Sequence, residues 1–144
     1  MSVEIDDTLF KQIVEEHIPF CKLLHLKFVR RTEDAVVLKI PYTDALIGDR
    51  RRPALHGGVI STLLDTVGGA IGLTNLSLPD DRLSTVDIRV DFLRPGEPKD
   101  LYAEGRIARS GNRIIVTKMT AYQLNPKKVI AEGMGVYNVR RKGD

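Results

Sequence analysis

Between Pro53 and Pro79 the chain carries a single formally charged side chain, Asp65, in the stretch HGGVISTLLDTVGGAIG (residues 56 to 72). A carboxylate set among uncharged neighbours is suited to act as a general base or as a nucleophile. The same stretch opens with His56-Gly57-Gly58. At a helix start the first backbone N–H groups lack partners and the dipole is positive. Two glycines leave those donors open to a ligand oxygen, as an oxyanion site requires. Read blandly, HGG is a loop-to-helix turn and Asp65 a surface acid. The two groups are eight residues apart, which is about 12 Å along a helix. One reacting carbonyl cannot touch both within one chain. If both act on it, Asp65 must come from the helix of a second copy, packed antiparallel nearby, with the site at a dimer interface.

The helix expected here has two unlike sides. At about 100° per residue, Ile60, Leu63, Leu64, Val67 and Ile71 share one apolar stripe. Ser61, Thr62, Asp65, Gly68, Gly69 and Gly72 gather on the other side. Each interior glycine costs about 1 kcal/mol relative to alanine, so this small face is expected to receive another backbone or a ligand at close range.

The elements that must hold this helix follow from the rest of the chain. Residues 6 to 18 read as a short amphipathic helix with Leu9, Phe10, Ile13, Val14 and His17 on one face, capped at Asp6 or Asp7 and ended by Pro19. From Leu23 the period becomes two, and LLHLKFVRR and AVVLKIP flank a hairpin turn. Residues 42 to 55 read as a loop, and the glycine-bearing helix ends before Pro79. STVDIRVDFLR alternates Val86, Ile88, Val90 and Phe92 with charged residues and stops at Pro95-Gly96. Gly111-Asn112 marks a hairpin between two further strands, and NPKK turns the chain into VIAEGMGVYNV. The expected fold is α+β: a curved antiparallel sheet of about six strands wrapped around one long central helix.

With 144 residues the chain fits one domain, residues 1 to 144, in which residues 1 to 19 form an N-terminal helical segment. A net charge of +3 is far from the basic stripe of a nucleic-acid binder, and the lack of tryptophan argues against a base-stacking platform. One cysteine, Cys21, permits no internal disulfide and no cysteine zinc site. MSVEIDDTLF lacks the regions of a signal peptide, and no apolar run reaches membrane length, so the cytoplasm is expected. No cofactor or metal is expected.

LHGGVISTLLDTVGGAIG, then STVDIRVDFLRPG, then two hairpins with RSGNR at a turn resemble the hotdog-fold acyl-coenzyme A thioesterases of the phenylacetate-pathway-like branch. The likeness spans residues 20 to 139. It implies an acyl-coenzyme A substrate and a homodimer with shared active sites, paired into a dimer of dimers. It also implies that Asp65 is the catalytic acid and that the Gly57 N–H polarises the thioester carbonyl. His56 precedes that glycine, Gly58 follows it, and Thr85 supplies a hydroxyl that helps place the acid or water. Arg109, Ser110, Gly111, Asn112 and Arg113 correspond to a turn that contacts coenzyme A, and Asp87 joins the binding surface. One position departs from the pattern: many members carry asparagine six residues before the HGG histidine, where this chain has Arg50.

His17 and His25 read as surface or core residues, Thr85 also suits a plain strand position, and Arg50, Arg51 and Arg52 suit a solvated charge run. Two other functions compete with hydrolysis. A hydratase or dehydratase of the same fold would need loop signatures not found here. A non-catalytic acyl-coenzyme A sensor would usually carry a DNA-binding segment, and no helix-turn-helix fits in the first twenty residues, but Arg50 in place of the usual asparagine keeps that alternative open.

Overall fold

The computed structural model describes residues 5–76 and 80–143. The chain begins with α1 (Asp7–Gln12), a π-helical turn (Ile13–His17) and α2 (Pro19–Leu23). Strands β1 (Lys27–Arg31) and β2 (Ala35–Ile40) follow. A small ribbon, β3 (Ile47–Asp49) with β4 (Ala54–Leu55), leads into the long helix α3 (Gly57–Leu73). Four long strands complete the chain: β5 (Arg82–Phe92), β6 (Leu101–Ser110), β7 (Ile114–Tyr122) and β8 (Ala131–Arg140). The main sheet runs β1-β2-β6-β7-β8-β5 with every neighbour antiparallel. Helix α3 packs against β2, β5, β6, β7 and β8, so the sheet curves around it as expected.

The apolar stripe of α3 is the centre of the core: Ile60, Leu63, Leu64, Val67 and Ile71 are each at most 2% exposed. Burying such side chains contributes about 1.5–3 kcal/mol apiece. The small face is not wholly free, however. Gly68 lies against Tyr137, Thr117 and Met119, and Gly72 lies against Leu83. Curvature brings β5 and β8 round the side of the helix, so the protein's own strands occupy two of the positions expected to receive a ligand or a second backbone. Ser61, Thr62, Asp65 and Gly69 remain half-buried.

Three boundaries differ from the sequence reading. The first helix does stop ahead of Pro19, with Ile18 extended, but Pro19 then opens a further helix, α2, in whose first turn its missing N–H is no loss. The strand therefore starts at Lys27 rather than Leu23, after a turn in which His25 adopts a positive φ of 56°. Residues 42 to 55 are not all loop, since they include the β3–β4 ribbon. The end of α3 falls at Leu73, and Pro79 lies outside the described residues.

The depth of the helix in the sheet is limited at β6, where a Cβ on Gly105 would sit 2.7 Å from the Val67 carbonyl oxygen. Backbone cannot yield as a side-chain tip can. Gly105→Ala is expected to destabilise the fold by about 1–3 kcal/mol, measured by urea denaturation. Unchanged stability would show that the helix is not held at that distance.

Candidate active site

Asp65 lies midway along α3, half-buried, with two hydroxyls converging on its carboxylate. The Thr85 hydroxyl on β5 donates to Oδ1 at 2.9 Å. The Tyr137 hydroxyl on β8 is 3.1 Å from the same Oδ1 and 3.0 Å from the Asp65 backbone carbonyl oxygen. Both are donors to a carboxylate that can only accept. Among the described residues no hydrogen bond reaches Oδ2. The hydroxyl pair thus fixes the orientation of the carboxylate through one oxygen and leaves the other without a hydrogen-bond donor among the described residues.

A β-bulge makes the Thr85 contact possible. The register of β5 against β8 shifts between Thr85 and Asp87, and Val86 is the extra residue. Beyond it, Ile88 and Val90 pack on the core; before it, Leu83 and Thr85 reach the helix at Gly72 and Asp65. Alternation alone would put Thr85 and Ile88 on opposite faces, and one inserted residue restores both to the inner face. For the same reason Val86 is not part of the inward apolar row expected from the sequence, and it is 61% exposed.

Tyr137 is the member of the site that sequence reasoning missed. Its ring is buried between Gly68 of α3 and Gly135 of its own strand. The available signal was the spacing Gly133, Gly135, Tyr137: two glycines and an aromatic on one face of a strand mark a close approach. Burial, followed by the Asp65 charge and the hydrogen bond to it, pushes the phenol well above the ordinary tyrosine range. Tyr137 therefore acts as a proton-bearing donor and not as a base.

At the start of α3, His56 is the N-cap, and its Nδ1 accepts from the Gly58 N–H at 2.8 Å. Neutral His56 must then carry its proton on Nε2. Gly58, expected to bind substrate, has its N–H committed to this cap, while Gly57 presents the first N–H of the helix. The ring of Phe92 lies 3.4 Å from where a Gly57 Cβ would stand. β5 thus runs antiparallel along α3, from Leu83 at Gly72, through Thr85 at Asp65, to Phe92 at Gly57. The helix is unbroken between Gly57 and Asp65, and the roughly 12 Å separation stands.

The remaining expected residues lie further out. Ser110, Ile115, Tyr137 and Thr85 face one another across adjacent strands, so the turn containing Arg109, Ser110, Gly111, Asn112 and Arg113 is about 14 Å from Thr85 by three strand spacings. That turn is exposed and closed by the Gly111 N–H on the Ile114 carbonyl oxygen at 2.8 Å. Asp87 is exposed, on the strand face opposite Ile88, and is not brought to Asp65. Arg50, Arg51 and Arg52 are exposed at the tip of the β3–β4 ribbon. There the backbone N–H and side chain of Arg51 hold the Asp49 carboxyl below its usual range. His17 and His25 are exposed. Among the described residues no three His, Cys, Asp or Glu side chains gather as metal ligands would, and no helix is long and apolar enough to cross a membrane.

A curved antiparallel sheet holding one long helix, with an oriented carboxylate midway along it, places the chain among the hotdog proteins. The sequence profile of the thioesterase superfamily matches residues 53–130. The chain belongs to that superfamily. It is 28% identical over 135 residues to the medium/long-chain acyl-CoA thioesterase YigI of Escherichia coli K12, covering 85% of this chain and 86% of that one. A crystal structure from Shewanella oneidensis, described as related to the thioesterase superfamily, superposes with a TM-score of 0.79 at 36% identity, over 90% of this chain and 92% of the other. Thioesterase HI1161 of Haemophilus influenzae shares the fold with a TM-score of 0.84 at 18% identity, over 100% of this chain and 95% of the other.

Four tyrosines are present, and the environment of Tyr137 should make it the last to ionise. Above about pH 10 an unfolded phenol loses its proton while the folded Tyr137 keeps it. Its raised value thus contributes a stability that falls as pH rises through that range. A phenolate absorbance titration should show one late step, lost in Tyr137→Phe. A titration in which all four ionise together would mean that the ring is not enclosed.

Proposed function

We propose that the protein hydrolyses an acyl-coenzyme A thioester to a carboxylic acid and free coenzyme A, and that each active site is shared by two copies of the chain. The observation that carries this reading is the pair of hydroxyls converging on Asp65 Oδ1 in a chain of the thioesterase superfamily. The Gly57 N–H of one subunit donates to the thioester oxygen and stabilises the negative charge that develops there. Asp65 of the other subunit works on the opposite side of the carbonyl through Oδ2. As a base it takes a proton from water, whose oxygen bonds to the acyl carbon; as a nucleophile it forms an anhydride that water then opens. Either way the carbon–sulfur bond breaks and the electron pair leaves on coenzyme A sulfur, which is protonated to the thiol. Thr85 and Tyr137 keep the carboxylate aimed, and Tyr137 holds its own proton throughout.

The shared site rests on distance. One carbonyl cannot span about 12 Å, so a helix from a partner must supply the second group. The motif likeness also assigns the protein to the phenylacetate-pathway-like branch. A single buried thiol suits a reducing compartment, and we assign the cytoplasm.

Asp65→Asn should leave the fold and oligomer size intact and lower kcat by roughly a hundredfold or more in a hydrolysis screen over short, long and aromatic acyl-coenzyme A esters. Near-wild-type turnover would remove Asp65 from the mechanism. Binding of these esters by the wild-type protein without any turnover would make it a sensor.

Arg109 and Arg113 supply the fixed fork of donors that suits phosphate. Replacing both by alanine should raise KM for coenzyme A esters and spare thioesters of short thiols. Equal losses on both substrate types would make the turn structural.

A further inference from the structure

Beside Asp65 the structure holds an open-sided cavity of about 230 Å³, whose polar wall is Asp65, Thr85 and Tyr137. Its far walls are apolar: Val14, Ile18, Phe20 and Cys21 come from the N-terminal helical segment, and Leu73 and Leu83 come from the end of α3 and from β5. Resting on the thioesterase reading, we infer that this cavity receives the acyl chain and that the N-terminal segment, outside residues 53–130 of the superfamily match, sets the length and polarity it accepts.

The chemistry of the lining decides which part of the substrate fits. The pantetheine arm of coenzyme A carries two amides, and burying an amide without a hydrogen-bond partner costs several kcal/mol. The polar groups of the cavity are at the Asp65 end, apart from Thr66, whose hydroxyl already donates to the Thr62 carbonyl oxygen at 2.7 Å. Burial pushes the Cys21 thiol above its ordinary range, so it stays uncharged and serves as apolar wall. An unbranched aliphatic chain satisfies these surfaces; an amide or a second carboxylate does not. An apolar cavity of about 150 Å³ takes a benzene ring, so by proportion 230 Å³ takes roughly nine carbons.

The N-terminal wall is fastened to the sheet. The Glu15 carboxylate, 8% exposed, accepts from the Phe28 N–H at 2.9 Å and lies 3.7 Å from Lys27 Nζ. Arg31 pairs with Asp7 at 3.1 Å and lies over the Phe10 ring, which meets Phe28 edge-on. Between these anchors, the π-helical turn presents Val14 to the cavity. The segment therefore behaves as a fixed stop.

Non-hydrolysable thioether analogues of coenzyme A, with chains of two to sixteen carbons, test this by calorimetry beside hydrolysis rates for the matching esters. Affinity should rise about three- to fourfold per added CH₂ and level off near nine carbons. In Ile18→Trp, and in Leu73→Phe from the opposite wall, the plateau should come several carbons earlier, with the two-carbon analogue within about twofold of wild type. Hydrolysis with affinity independent of chain length, or variants that weaken all lengths equally, would overturn the inference and leave the thioesterase reading intact. The expected affinity profile without hydrolysis would uphold the cavity assignment and overturn catalysis instead.

Discussion

As Gly105 sets the approach of α3 to β6, its approach to β8 is set where the buried ring of Tyr137 passes between Gly68 and Gly135. A methyl group on either glycine would meet that ring or its hydroxyl, so the helix approaches only because both are bare. Once seated, the hydroxyl reaches the Asp65 carbonyl oxygen and Oδ1 together. The packing of the core and the aim of the carboxylate are therefore one constraint. A phenol enclosed beside a carboxylate is also held protonated, which keeps it a donor. The glycines of α3 cost helical stability, and close packing against β5 and β8 offsets that cost.

The bulge at Val86 does for β5 what the glycines do for α3. It turns Thr85 inward while Ile88 and Val90 stay in the core, so one strand both covers the helix and supplies a second donor to Asp65. β5 is also the last strand of the sheet and runs along α3 as far as Gly57. The two candidate reactive groups are consequently held on one rigid helix–strand pair, at a separation that cannot close. In the mechanism proposed above, the missing group comes from a second copy, and a two-fold axis would supply both sites at once.

Much of this was legible from residue types and spacing. The five-residue stripe on α3 is the buried stripe, Gly111-Asn112 is at a hairpin turn, and the lone charge of Asp65 does mark the carboxylate that two hydroxyls hold. What escaped detection depends on register and on long-range contact. A bulge moves parity without any signature in VDIRVDF, so alternation turns Val86 inward, and the placing of the acid by Thr85 is expected from the family resemblance alone and not from the strand pattern. Tyr137 is 72 positions beyond Asp65 and meets it only because β8 lies between β7 and β5. Pro19 reads as a stop in isolation; in the fold it starts another helical turn, which gives the cavity Phe20 and Cys21.

The sharing of one site by two chains is tested most directly by mixing two inactive variants, Asp65→Ala and Gly57→Val. The valine side chain would stand at the donor site against the Phe92 ring. After random exchange at equal amounts, half of the dimers are mixed, and each mixed dimer has one site with both lesions and one with neither. With exchange verified by native mass spectrometry and folding of both variants by circular dichroism, about a quarter of wild-type hydrolysis should return. Exchange with no recovered activity would mean that each chain holds a complete site, contradicting the cross-subunit assignment of Gly57 and Asp65.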